Sequence, residues 1–384
     1  METVGVCQMK IAYVNQYNIP DHVGQRIHEI NPSYNHDSLK RAMTATLRQG
    51  FYCRRGANTL PFVYDEDFFK NAMPEVDTQF NKSFGGITDQ RCLELHRSRS
   101  DRPWLITWSG GIDSTAMLVS VLKNLSAADR SNITVSYNKV SVYENPQFFH
   151  NHVLPNFKLI DSTTQEFGSL LDTHYIMDGD PADMLQGSGF ALNAKAWGLD
   201  LSDSWRQADP LIEFLTTVMG DSAAKWTYNR LAENLESLEH DALCLQTYAD
   251  WFWWINFNWK WTANRLHEMQ RQPLDNVRPY VESAVHWYDS VDYQQWSMTH
   301  GRYSLIRDGG SLGSYKKLSK QYIHEFDRND HYLKFKTKTD SDSRGPPTKS
   351  TAWFCVLDDY TALTVDKDLD LILELLPTHI NQGY

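Results

Sequence analysis

Trp104-Leu-Ile-Thr-Trp108 is an unbroken run of apolar and β-branched residues, the pattern of a strand buried on both faces. The run stops at Ser109-Gly110-Gly111, after which Leu118, Val121, Leu122 and Leu125 recur at helical spacing. Ile133-Thr-Val-Ser-Tyr137 predicts a second strand, Lys158-Leu-Ile-Asp161 a third and His174-Tyr-Ile-Met177 a fourth, with a short helix after Pro146. Strand and helix alternating at this interval predict an α/β fold, a doubly wound parallel sheet with helices on both faces.

Outside this stretch the pattern changes character. Met9 to Tyr13 predicts a strand, and Ser38 to Gln49 a helix closed by Gly50. Beyond about 205 the periodicity is mostly helical, through Leu231, Leu235 and Leu238. Gly345-Pro346-Pro347 marks a loop, Trp353 to Leu357 a late strand and Leu369 to Leu376 a closing helix. These shifts suggest four regions: 1–85 without assignable chemistry, an α/β core over 86–205, a helical substrate-side part over 206–345, and an extension over 346–384.

The segment Trp251-Phe-Trp-Trp-Ile-Asn-Phe-Asn-Trp-Lys-Trp261 is the most apolar of the chain. It is too short to span a bilayer and carries Asn256, Asn258 and Lys260, so it predicts a buried helix whose indole N–H groups need partners. The chain has 384 residues, 41% hydrophobic and 22% charged, the proportions of a globular protein. Its net charge of −11 argues against general nucleic-acid binding, which needs a surplus of Lys and Arg. Cys7, Cys53, Cys92, Cys244 and Cys355 are odd in number and contain no CxxC pair. They suit neither a disulfide framework nor a zinc site and, with no signal peptide visible, predict a cytoplasmic protein without membrane contact.

Chemistry is expected at Ser109-Gly110-Gly111-Ile112-Asp113-Ser114-Thr115. Between a strand and a helix, backbone N–H groups and the helix N-terminus converge on one spot and attract anions. Two glycines let the backbone approach a phosphate, and Ser109, Ser114 and Thr115 add hydroxyls. Asp113 does not attract phosphate by charge, so its presence predicts a shared Mg²⁺. An ordinary glycine turn with a Ser/Asp helix cap is the plainer alternative.

These seven residues resemble the S-G-G-x-D-S/T motif of the N-type ATP pyrophosphatases (the PP-loop superfamily), which cleave ATP between the α and β phosphates. Asp178-Gly-Asp-Pro-Ala-Asp-Met-Leu-Gln-Gly187 resembles the G-E-G-A-D-E-L-F-G-G segment of one branch, the asparagine synthetase synthetase domain and its β-lactam and lasso-peptide cyclase relatives. Gly179, Asp180 and Ala182 match the first glycine, first acid and alanine; Asp183 matches the aspartate that shares Mg²⁺ with Asp113; Met184 replaces the second acid. The resemblance spans roughly 86 to 345 and implies an adenine nucleotide alpha hydrolase-like, Rossmann-like core that binds ATP and Mg²⁺. It further implies adenylation of a carboxylate or carbonyl oxygen, then transfer to an amine or ammonia. The WSGGIDST and WFWWINFNWKW segments also resemble asparagine-synthetase-like proteins of large phages.

Fainter matches follow. Arg278-Pro-Tyr-Val-Glu282 resembles the family's R-x-P-F-L-D stretch, one residue short, with Asp275 nearest to the glutamate that precedes it. Tyr315-Lys316-Lys317-Leu-Ser-Lys320 and Lys334-Phe-Lys336-Thr-Lys338 resemble its two lysine segments. The resemblance implies Lys317, Lys336 and Lys338 as the catalytic lysines that stabilise departing pyrophosphate, and the alternation of Lys334, Lys336 and Lys338 puts all three on one face of an extended segment. The family's glutaminase cysteine has no counterpart, since position 2 is Glu2 and Cys7 lies inside the chain. Nitrogen is therefore expected from ammonia, an amine substrate or a partner protein. Two alternatives stay open: a base- or nucleoside-modifying enzyme of the deazaguanine-synthase or thiolation type, and, given Met184, a non-catalytic adenine-nucleotide-binding protein.

Overall fold

The structure is a computed structural model, and it describes residues 11–13, 25–26, 28–29, 53–56, 73–238, 241–261, 277–304, 315–336, 353–356 and 361–380. The expected helix from Ser38 to Gln49, together with Cys7, Asp275 and Lys338, lies outside the described residues. Two compact units form, one from Met73–Ala196 with Pro279–Pro346, the other from Met1–Ala72, Trp197–Arg278 and Pro347–Tyr384. This division differs from boundaries at 86, 206 and 346. The chain leaves the α/β unit near 197 and returns near 279, because the last strand of the sheet is supplied from beyond the helical segment.

The α/β unit opens with α1 (Phe84–Ser98), whose N-cap Ser83 accepts a hydrogen bond from the Gly86 amide. Phe84, Ile87, Thr88, Cys92 and Leu95 are its buried residues, a single stripe at helical spacing. Then come β1 (Trp104–Thr107), α2 (Ile112–Asn124), β2 (Ile133–Tyr137), α3 (Lys139–Glu144), β3 (Lys158–Asp161) and β4 (Tyr175–Asp178). The return passage supplies β5 (Ala284–His286), α4 (Val291–Thr299), α5 (Lys317–Asp327) and α6 (Asp330–Phe335). All five strands are parallel, in the order β3-β2-β1-β4-β5. This is the expected α/β Rossmann-like sheet. Its central strand is buried because helices cover both faces: Leu105 and Ile106 have no exposed surface.

Two elements depart from the sequence pattern. The fifth strand was not anticipated, since three residues are too few to show a period. Lys334-Phe-Lys336 is not extended: Asp330–Phe335 is helical, opened by the Asn329 side chain, which accepts from the Tyr332 amide at 2.9 Å. The local cap outweighs the lysine alternation, so Lys334 and Lys336 do not form one strand face.

The second unit is mainly helical, with Ala208–Met219 and Asp221–Glu236 joined at Gly220, whose φ of 85° suits glycine. The Trp-rich segment is the helix Tyr248–Trp254 continued as a π-helix over Ile255–Trp259. Trp251, Trp253, Trp254 and Trp259 are fully buried, and each such ring removed from water contributes on the order of 4 kcal/mol. Only part of the expected indole bonding is found: Trp254 donates to Asn234 Oδ1 at 2.7 Å, whereas the N–H groups of Trp251 and Trp259 meet no acceptor among the described residues. Among the described residues no helix is long and apolar enough to cross a membrane. Strands Ile11–Tyr13, Trp353–Val356 and Ala362–Thr364 form a separate antiparallel sheet, followed by the helix Val365–Ile380.

Asn258 is the polar centre of this unit. Its Oδ1 accepts from the Arg54 and Arg55 amides at 2.8 Å each, and its Nδ2 donates to Arg55 O at 3.0 Å and Asn234 Oδ1 at 3.1 Å. Asn258→Leu keeps the volume and deletes these four bonds, along with a weaker one to Cys53 Sγ at 3.4 Å, inside a buried core. We expect a loss of about 3 kcal/mol, read as a lower urea midpoint by tryptophan fluorescence. An unchanged midpoint would show that these bonds contribute nothing net.

Candidate active site

In a sheet ordered β3-β2-β1-β4-β5 the chain reverses its direction of winding between β1 and β4. The loops leaving these two strands diverge to opposite faces and open a crevice at their carboxyl ends. The Ser109–Thr115 segment follows β1, and the Gly179–Met184 segment follows β4. Both sequence motifs therefore stand at one crevice. They also touch: a Cβ on Gly179 would lie 3.2 Å from the Ser114 amide nitrogen and 3.4 Å from Asp113 Cβ. A larger residue there would push the two segments apart.

The first loop is held by its own hydroxyls. Ser109 and Ser114 share a hydrogen bond between their Oγ atoms at 3.0 Å, and the Ser109 amide donates to Ser114 Oγ at 3.2 Å. The Gly111 amide donates to Ser109 Oγ at 3.3 Å. Gly110 has φ +74°, and a Cβ on it would lie 2.2 Å from Ser141 O and 2.7 Å from Glu144 Cβ, so α3 packs where a side chain would stand. Gly111 is the N-cap of α2 and gives it no side-chain hydrogen bond, which leaves the first-turn N–H groups of a 13-residue helix to attract an anion. Thr115 takes no part in the Ser109–Ser114 hydroxyl pair. It is fully buried, its Oγ1 accepting from Trp108 Nε1 at 3.2 Å, and it anchors the loop from beneath.

The carboxylates of Asp113 and Asp183 converge on a single ammonium, that of Lys316. Asp113 sits in the first turn of α2 and Asp183 in the short 3-10 helix Ala182–Met184, while Lys316 is the N-cap of α5. The Lys316 side chain is 3% exposed, against 23% for Asp113 and 37% for Asp183. Burial opposes the charged ammonium, yet the fields of Asp113 and Asp183 and the bond to Asp113 hold its pKa well above the ordinary lysine value. Tyr315 OH adds a bond to Asp183 Oδ1 at 3.5 Å, and Tyr288 OH donates to Asp113 O at 2.9 Å.

The three expected lysines fare differently. The ammonium that reaches the carboxylate pair belongs to Lys316, one residue before Lys317, which is half-buried as the first residue of α5. Lys316 takes left-handed angles (φ 53°, ψ 35°), and this turn decides which of two adjacent lysines points at the aspartates; no sequence period records it. Lys336 pairs instead with Glu144 of α3, and its ammonium also donates to Glu144 O at 3.2 Å. Glu144 is the residue whose Cβ crowds Gly110, so this pair braces the loop from the α3 side. Lys338 lies outside the described residues. Arg278-Pro-Tyr-Val-Glu282 lies in the helix Val277–Ser283 immediately before β5. Met184 is 2% exposed, a packing residue.

A pair missed in the sequence stands beside the crevice. Asp178 and His286 are register partners at the carboxyl ends of β4 and β5, and Asp178 Oδ1 lies 2.8 Å from His286 Nδ1 with both side chains buried. Asp178 was visible at the head of the second motif, but His286 lies on the strand too short to announce itself.

The donor set fits magnesium bound together with phosphate. Two carboxylates suit an ion that takes one or two protein carboxylates and completes its shell with water and phosphate oxygens. Among the described residues no group of three or more His, Cys, Asp or Glu side chains could hold a metal ion unaided. No protein-family model, no curated protein and no solved structure matches the chain.

Proposed function

We propose that the α/β unit is an ATP-dependent synthetase that cleaves ATP between the α and β phosphates and joins the activated substrate to an amine or ammonia, as the resemblance to the asparagine synthetase branch implies. One observation carries the reading. Asp113 and Asp183, picked out by two separate motifs, meet on one lysine at the crevice where a doubly wound sheet takes its ligands. A glycine turn with an incidental helix cap gives no reason for that convergence.

The protein's contribution is electrostatic. Ser109, the Gly110 and Gly111 backbone and the open N-terminus of α2 bind and orient the phosphates. Asp113 and Asp183 would hold magnesium, which supplies positive charge against the departing pyrophosphate. A substrate carboxylate or carbonyl oxygen attacks the α-phosphorus, the bond to the α,β-bridging oxygen breaks, and its electron pair leaves with pyrophosphate. Lys316 faces the charge that then accumulates. An amine displaces AMP from the resulting adenylate.

The three cysteines whose side chains are described lend the thiolation alternative no support. Burial raises Cys53 to about 11 and Cys92 to about 12, so both are protonated at neutral pH and poor nucleophiles. Cys244 is exposed, in the helical unit.

Two outcomes test the proposal. With a competent substrate the products are AMP and pyrophosphate in equal amounts, measured by chromatography against a library of carboxylic acids and amines; ADP as the main product would overturn the assignment. Asp183→Asn removes one carboxylate charge from a partly exposed position. Its turnover is expected to fall ~100-fold or more, with a thermal midpoint within a few degrees of the parent. Retained turnover and retained magnesium dependence would remove Asp183 from the site.

A further inference from the structure

We infer that Lys316 is a built-in counter-ion that closes the Asp113–Asp183 pair to free divalent cations until the phosphates of a nucleotide arrive. The inference rests on the reading above, that these two carboxylates hold the metal.

The argument starts from charge. Two carboxylates held within reach of one ammonium repel by roughly 3 kcal/mol at an effective dielectric constant near 20, so a cation between them stabilises the ionised pair. In the protein that cation is the Lys316 ammonium, which contacts both carboxylates and is itself almost fully shielded from water. A divalent ion arriving alone must push the ammonium off both aspartates. The displaced ammonium would then stand buried beside a dication without a partner, the costly outcome of breaking a buried ion pair.

A nucleotide changes the balance. Its phosphates, seated against the first turn of α2, bring several negative charges next to Asp113, where the Lys316 ammonium already is. The ammonium can exchange carboxylate oxygens for phosphate oxygens by rotating its side chain, and the vacated carboxylates are then open to the metal. The backbone has no need to move, and its position is fixed. Lys316 is the N-cap of α5 in left-handed geometry, with its carbonyl accepting from the Lys320 amide at 3.0 Å and Tyr315 bonded to Asp183 just ahead of it. Left-handed angles cost a non-glycine residue about 1 kcal/mol, which the two ion contacts offset. Lys316 thereby makes metal uptake conditional on nucleotide, and an unproductive complex with metal alone is avoided.

The test measures Mn²⁺ retained with the full chain by equilibrium dialysis, with and without α,β-methylene-ATP, which cannot be cleaved at the relevant bond; a protein-free compartment holding the same analogue corrects for ion held by the nucleotide alone. Wild-type protein without nucleotide is expected to bind Mn²⁺ at least ten-fold more weakly than Lys316→Met, which exposes the bare carboxylate pair. Lys316→Arg, which keeps the charge, should exclude the ion as the wild type does. Added α,β-methylene-ATP should bring wild-type Mn²⁺ binding up to or beyond that of the Met variant. Thermal melting gives a second readout: Mn²⁺ alone should raise the midpoint of Lys316→Met and leave that of the wild type in place. Equal binding of Mn²⁺ alone by wild type and Lys316→Met would overturn the inference while leaving the magnesium–nucleotide reading intact. If no form of the protein binds Mn²⁺ even with the analogue, the proposed function itself fails and takes the inference with it. Should Lys316→Met not fold, Lys316→Gln replaces it. If that fails too, the wild type decides alone, because Mn²⁺ binding as tight without the analogue as with it contradicts the inference.

Discussion

β1 pairs in parallel with both β2 and β4, so the chain must wind away from it in two directions. From that one constraint the location of the site follows. Helices leaving adjacent strands on opposite faces cannot close over the strand ends between them, and the gap they leave receives backbone amides and helix dipoles. The Ser109–Thr115 turn and the Gly179–Met184 turn stand there because they are the exits of those strands. Gly110 and Gly179 allow the close approach. α3 occupies the space over Gly110, and the Ser114 amide occupies the space over Gly179.

Bringing two exits together also brings two carboxylates together, and this sets the electrostatics of the crevice. A cation between Asp113 and Asp183 stabilises the ionised pair, and the return passage of the chain supplies it. After the excursion through the helical unit, the segment 279–346 contributes both the fifth strand and Lys316. The same return brings Lys336 to Glu144. The α/β unit is thus completed by residues that the linear order would assign to a different region. The helical unit has its own logic, a tryptophan core arranged around the Asn258 and Asn234 amides, which satisfy backbone groups of the 53–55 segment.

Much of this was legible in residue order. Trp104 to Thr107 and Ile133 to Tyr137 announce buried strands because both faces are covered and every position is free to be apolar or β-branched. The two aspartate motifs were legible because tight turns at strand exits constrain glycine, hydroxyl and acid positions over a few consecutive residues. Local chemistry of that kind leaves a local signature. The lysines left none: Lys316 and Lys317 are indistinguishable in sequence, and the alternation of Lys334, Phe335 and Lys336 suggested a strand that the Asn329 cap turned into a helix.

The amino-acid sequence by itself determined the α/β class, four of the five strands, the glycine turn after β1 and the identity of the two acids. Those features rest on short-range forces: the burial pattern of a strand, the conformational freedom of glycine, the repeat of a helix. The tertiary structure alone decided that the two acids share one partner, that this partner is Lys316, that Thr115 supports the loop from below, and that Asp178 meets His286. Each of these depends on which strand lies beside which and on the backbone angles of single residues. Pairings of that range are settled by the packing of the whole sheet, and residue order around any one partner carries little trace of the other.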